Sequence, residues 1–149
     1  MRALRFLHSL LSASFIVWLG TTPAHATDAP SPIGFWKGDD ATFEMFESDG
    51  KLSAKIVTLR EPKTSEGREK TDIHNPDPTK RSDPIIGLVF ISGIAKKSDT
   101  HWENGTIYDP TSGITYSCLM DLQGPDKIQV RGFLGVVFMG RNYTWTRVN

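Results

Sequence analysis

The chain has 149 residues, with 17 basic and 17 acidic side chains, four histidines and one cysteine. A formal net charge of zero gives no overall electrostatic handle for nucleic acid or anionic lipid. A lone cysteine excludes an intrachain disulfide, so stability must come from packing.

Residues 1–26 open with Arg2 and Arg5, continue through an apolar run from Leu10 to Leu19, and end in Ala24-His25-Ala26. That arrangement predicts a Sec-type signal peptide cleaved after Ala26. The apolar run is shorter than the roughly 20 residues a bilayer-spanning helix needs, and no lipidation cysteine follows it. The expected product, residues 27–149, is a single exported domain, periplasmic or secreted, with no stable membrane anchor. Loss of Arg2 and Arg5 leaves 15 of the 17 basic residues against all 17 acidic ones, a net charge of about −2.

The mature chain reads as strands and turns. "ATFEMFES" alternates, with Phe43, Met45 and Glu47 on one side and Thr42, Glu44 and Phe46 on the other; Asp49-Gly50 then turns it into "KLSAKIVTL". "PIIGLVFISGI", "HWENGTIYDP", "GITYSCLMDLQ", "DKIQVRGFLG" and "NYTWTRV" follow, with turn signals at Asn104-Gly105, Thr111-Ser112-Gly113 and Gly124-Pro125-Asp126. Turns recurring every eight to twelve residues or so predict an antiparallel sandwich or barrel. Sequential order with tight turns favours a single up-and-down barrel of about eight strands, because closure removes exposed edges. In "TYSCLMDL", Tyr116, Cys118 and Met120 share a face, and Cys118 reads as a small buried hydrophobe without a histidine to activate it.

One connector, about 61–84, is longer than compact domains usually tolerate without a role for it. Its first half, "EPKTSEGREKTD", is polar and charged, whereas Pro76, Pro78 and Pro84 stiffen the second half. Asn75 and Asp77 are Asx-turn residues, and an Arg81 pair with Asp77 or Asp109 is the expected way of pinning the connector to the barrel.

Near the mature start, "GFWKG" places Trp36 at the head of the first strand, and "TWTRV" supplies Arg147 at the end of the last. Glycine, any residue, then tryptophan resembles the opening of the lipocalin and fatty-acid-binding (calycin) barrels. The resemblance implies that Trp36 closes the barrel base and that Arg147, or Arg141, packs across its indole. "GFWKG", "NPDPTKRSDPIIGL", "WENGTIYDPTSGITYS" and "VRGFLGVVFMGRNYTWTRV", in that order, resemble the exported bacterial family known as domain of unknown function 2147. It implies a lipocalin-like barrel over about 33–148 and assigns no catalytic residue.

Little points to catalysis. His74 and His101 lie in different segments without metal-ligand spacing, so neither a metal nor a cofactor is expected. His74, Asp77 and Ser82 can be drawn as a hydrolase triad, but no nucleophile-elbow pattern frames them. The reading favoured is a non-enzymatic envelope protein holding a small apolar or amphipathic, fatty-acid-like ligand. Phe43, Met45, Val57, Phe90, Tyr116 and Phe133 are the expected lining and Arg131 the polar anchor. The alternative is a barrel filled by its own side chains that engages another envelope protein.

Overall fold

The computed structural model describes residues 30–148; the expected signal peptide and cleavage point lie outside them. Eight antiparallel strands form one closed barrel in sequence order: β1 (Gly34–Lys37), β2 (Ala41–Ser48), β3 (Lys51–Leu59), β4 (Val89–Lys96), β5 (His101–Asp109), β6 (Ile114–Leu122), β7 (Lys127–Phe133) and β8 (Arg141–Arg147). The ring closes where Trp36 pairs with Arg147 and Lys37 with Thr146. With every neighbour antiparallel, the connections alternate between two ends. The β1–β2, β3–β4, β5–β6 and β7–β8 connections share one end, and the other three share the opposite end, the base, with residues 30–33.

Turn chemistry sets most of the registers. Asp49 and Gly50 both adopt positive φ (52° and 71°), the backbone a two-residue hairpin requires, and Ser48 pairs with Lys51 across it. Asn104-Gly105 behaves differently from its expected turn. Both residues stay inside β5, where Asn104 takes a left-handed φ of 62° and the register against β6 shifts between Trp102 and Gly105. The pair is a bulge, and β4 reverses into β5 through residues 97–100 instead.

Inward alternation fills the middle of the barrel. Ala54, Ile91, Ile94, Met120, Ile128 and Val130 have no accessible surface, and Met45 and Cys118 have 1%. A side chain with no accessible surface has no water-sized void beside it, so this waist is packed. Burial of these apolar faces is what drives closure.

The base is sealed by Trp36 and Arg147. The indole is wholly buried and donates Nε1–H to the Pro32 carbonyl at 2.8 Å. The Arg147 guanidinium lies 4.2 Å from the centre of that ring. Its nitrogens donate to three carbonyls: Nε to Pro125 at 2.7 Å, Nη1 to Ile33 at 3.1 Å and Nη2 to Ser31 at 2.5 Å. One side chain thus ties the segment before β1, the β6–β7 turn and the indole together. The glycine of "GFW" has a direct reason: Gly34 has φ 126°, and a Cβ there would stand 3.1 Å from Arg147 Nη1.

Gly105 gives a test of the packed waist. A Cβ at this position would meet Ile94 Cγ1 at 2.5 Å, with the Ile94 backbone and Cys118 Sγ both at 3.1 Å. Gly105→Ala should lower the unfolding free energy by about 1–3 kcal/mol, measured by urea denaturation. Gly50→Ala serves as the comparison, since nothing surrounds its Cβ position and only the backbone cost applies.

Candidate functional site

The inner face changes character between waist and open end. Residues directly opposed across antiparallel strands share a face. Val130 pairs with Met120 and Tyr143, and Gly132 pairs with Cys118 and Arg141, so Tyr143 and Arg141 take the inner face. Along β6, exposure rises from 0% at Met120 to 43% at Ile114, and on β8 Tyr143, opposite the wholly buried Val130, is 44% exposed. Ile107 and Tyr116, a cross-strand pair, are half-buried between these levels. The open end is thus a rim of part-exposed inner-face side chains above a solid floor, called the cup below. Part of the floor is aromatic: Phe43 packs against Phe90 and Trp145 with ring centres 4.8 and 4.4 Å apart.

The long connector covers the β3–β6 side of this end. Ile85 is buried in the core, and Gly87 donates its N–H to the Ile56 carbonyl, fixing the return into β4. The anchor is Asp72, which has no accessible surface. Its Oδ1 accepts the Tyr108 hydroxyl at 2.7 Å and its Oδ2 accepts Asn75 Nδ2 at 2.7 Å. Its backbone N–H reaches the Asp83 carbonyl, so both limbs of the connector meet there. The connector also rests on the β5–β6 turn: at Gly113, φ 73°, a Cβ would collide with the His74 carbonyl oxygen. Only a glycine allows that approach.

This replaces the expected Arg81 pairing. Asp77 caps its own 3-10 turn, Pro78–Lys80, accepting from Thr79 N at 3.0 Å and Thr79 Oγ1 at 2.7 Å. Asp109 is used by the β5–β6 turn, accepting from Thr111 N, Thr111 Oγ1 and Ser112 Oγ. Arg81 donates instead to the Asn75 carbonyl at 2.9 Å. Each carboxylate has hydrogen-bond donors two or three residues away, and those local partners win. Asx and Ser/Thr turns thereby hold both acids below the ordinary carboxylate range. Thr79 is the cause at Asp77; at Asp109, burial works the other way and the Thr111 and Ser112 hydrogen bonds outweigh it.

The expected ligand lining also needs correction. Arg131 and Phe133 alternate with the buried Val130 and Gly132 and so face outward. Arg131 donates to the Val137 carbonyl at 2.6 Å and to Asn142 Oδ1 at 2.7 Å, bracing the β7–β8 connection from outside. Met45 and Phe90 belong to the packed core. Val57 has no partner in β2, where the register steps from Thr42–Thr58 to Phe43–Ile56. Phe43 and Tyr116 remain half-buried on the inner side. The sequence reading passed over Arg141 and Tyr143 as cup residues and Asp72 and Tyr108 as the anchor. "RNYTWTR" carried the first signal, since alternation back from Trp145 puts Tyr143 and Arg141 on the same face. His74 is exposed, and among the described residues its ring bonds no serine or carboxylate.

A concavity of about 260 Å³ lies at the base, lined by Pro32, Leu52, Ile94, Lys96, Asp99 and Trp102 among others. It is separated from the cup by the whole packed waist.

The family described as "Uncharacterized protein conserved in bacteria (DUF2147)" matches residues 34–147, and the chain belongs to it. Among solved structures, it is similar to protein HP1028 from the human pathogen Helicobacter pylori, which is described as belonging to the lipocalin family. The two are 23% identical with a TM-score of 0.69, over 78% of this chain and 82% of that one. No curated protein matches the chain. The all-β closed barrel is therefore lipocalin-like.

Two groups with raised pKa provide tests, one at the connector anchor and one in the waist. Burial first, then the hydrogen bond to Asp72, push the Tyr108 hydroxyl from 10.0 up to about 12. Folding favours the neutral phenol, so this contribution is complete below pH 10 and fades as the pH climbs towards 12. Tyr108→Phe should cost about 1–3 kcal/mol at neutral pH, because Asp72 loses one of its donors, and should abolish the late-titrating tyrosine in an ultraviolet phenolate titration. Burial likewise pushes the Cys118 thiol from 9.0 up to about 12. Iodoacetamide at pH 8.5 should label the urea-unfolded chain within minutes and leave the native chain unmodified over the same period.

Proposed function

We propose that this is an exported bacterial envelope protein whose open barrel end takes a small apolar or amphipathic molecule. The observation that carries the reading is the cup: inner-face side chains that are wholly buried at the waist become open at the rim, leaving apolar and aromatic surface under an arginine. Ile107, Ile114, Tyr116 and Tyr143 supply apolar walls, and the lipocalin-like fold supports a small-molecule role. Arg141 is exposed and has no ion pair or side-chain hydrogen bond among the described residues, which suits it to a ligand carboxylate. Export rests on the Arg2/Arg5, Leu10–Leu19 and Ala24-His25-Ala26 pattern.

The packed waist confines any ligand to the rim. A chain long enough to thread the barrel has no room, so the acyl tail would lie across the cup beneath the connector. That same packing supports the alternative, a filled barrel that binds another envelope protein.

Calorimetric titration with dodecanoate separates the two. The proposed site binds it, and Arg141→Glu weakens binding about tenfold or more, the worth of one charge-assisted hydrogen bond. Absence of heat for dodecanoate and for dodecanol, with native mass unchanged in both, would favour the partner-binding reading.

A further inference from the structure

The described residues carry thirteen exposed large hydrophobic side chains, and ten of them lie at the open end. Half of those ten come from one short connection, β7–β8: Leu134, Val136, Val137, Phe138 and Met139. Phe138 is 81% exposed and Met139 74%, the two highest values among them. The connection contains a single 3-10 turn, Val137–Met139, with no buried residue. Its backbone is nevertheless held in place, by Arg131 from below and by Val136 and Met139 N–H bonds within the loop. A braced loop that presents a phenylalanine and a methionine to water is poorly explained by folding.

Charge is segregated around it. From Lys127 to Val148 the chain has four basic residues, Lys127, Arg131, Arg141 and Arg147, and no acidic one. Arg147 is committed to the base. Arg131 and Arg141, at the stem of the loop, have no carboxylate partner among the described residues. The acidic residues of this end lie on the other connections: Asp39 and Asp40 before β2, Glu61, Glu66, Glu69, Asp72, Asp77 and Asp83 in the β3–β4 connector, and Asp109 at the β5–β6 turn. The β7–β8 loop and its stem therefore carry two arginines and no carboxylate beneath an apolar tip.

We infer that the β7–β8 loop is a membrane-docking element, with Phe138 and Met139 entering the acyl boundary of an anionic bilayer while Arg131 and Arg141 meet lipid phosphates. An apolar tip with cations behind it matches the layered chemistry of a lipid surface, apolar within and anionic at the headgroups. A protein groove deep enough for the same tip would have to supply carboxylates at a matching distance, a more particular demand. The depth is that of a loop tip, so the attachment is peripheral and reversible. It shares Arg141 with the proposed ligand site but rests on Phe138 and Met139, which that site does not use, and it would set the cup facing the lipid.

The test is co-sedimentation of the purified, full exported chain with vesicles of phosphatidylglycerol and phosphatidylethanolamine, and with phosphatidylcholine vesicles alone. Binding to the anionic vesicles is expected, and Phe138→Asp with Met139→Asp should reduce it about tenfold or more, given the apolar area withdrawn from the bilayer. Both positions are exposed, so melting temperature should be unchanged, which separates lost docking from lost folding. Phe138→Trp supplies a second readout: its emission should shift to the blue on adding vesicles and be quenched by brominated lipid. Failure of the chain to sediment, an unshifted Phe138→Trp spectrum, or equal sedimentation of the double aspartate variant would each overturn the proposal. So would specific cross-linking of position 138 to a protein, with no vesicle binding. Dodecanoate binding by the double variant should be retained, so the two proposals fail separately.

Discussion

Arg147 is the piece on which the barrel depends. An eight-stranded ring has to join its first and last strands across a short overlap, and here only Trp36–Arg147 and Lys37–Thr146 pair across that seam. Two residue pairs are few beside the eight that join β2 to β3. The guanidinium compensates by donating to three carbonyls from two other segments while its flat face covers the indole. Arginine suits this task because its planar fork both stacks and donates, which an ammonium group cannot do.

Sealing the base and packing the waist has a consequence at the other end. Side chains from all sides converge on Met45, Ile91, Met120 and Val130, so the barrel axis is filled and function is displaced to the rim. There two connections differ in kind. The β3–β4 connector is polar, ordered by turns and anchored through buried Asp72. The β7–β8 connection is apolar, short and braced by a single arginine. One covers the rim, and the other projects from it.

Much of this was legible in the residues. Strand order and the Asp49-Gly50 and Thr111–Gly113 turns follow from local chemistry that tertiary contacts do not override, whereas the tryptophan with its distant arginine was legible only through the resemblance to the calycin barrels. What could not be read was facing and partnership. Whether Arg131 pointed in or out depended on register, and a single bulge flips every side chain beyond it. Asn104-Gly105 looks like a hairpin turn in isolation. Only the pressure of Ile94 and Cys118 on Gly105 shows why a glycine stands inside a strand. Asp72 sits 36 residues before Tyr108 in a polar stretch and gave no sign that it would be the buried anchor. Arg81, Asp77 and Asp109 were attractive as a pair because opposite charges are easy to see, whereas the Asx turns that claim both acids are local and cheap to form.

Closure of the barrel rests on the seam. Hydrogen exchange followed by NMR measures it directly, through the amides of Lys37, Thr146 and Val148, the last of which donates to the Phe35 carbonyl at 2.9 Å. In the native chain these should exchange on the slow timescale of Ile128 and Val130. In Arg147→Ala they should lose protection ahead of the amides of β3 to β6. Rapid exchange across the seam in the unaltered chain, or unchanged protection in the variant, would contradict a barrel held shut by Arg147.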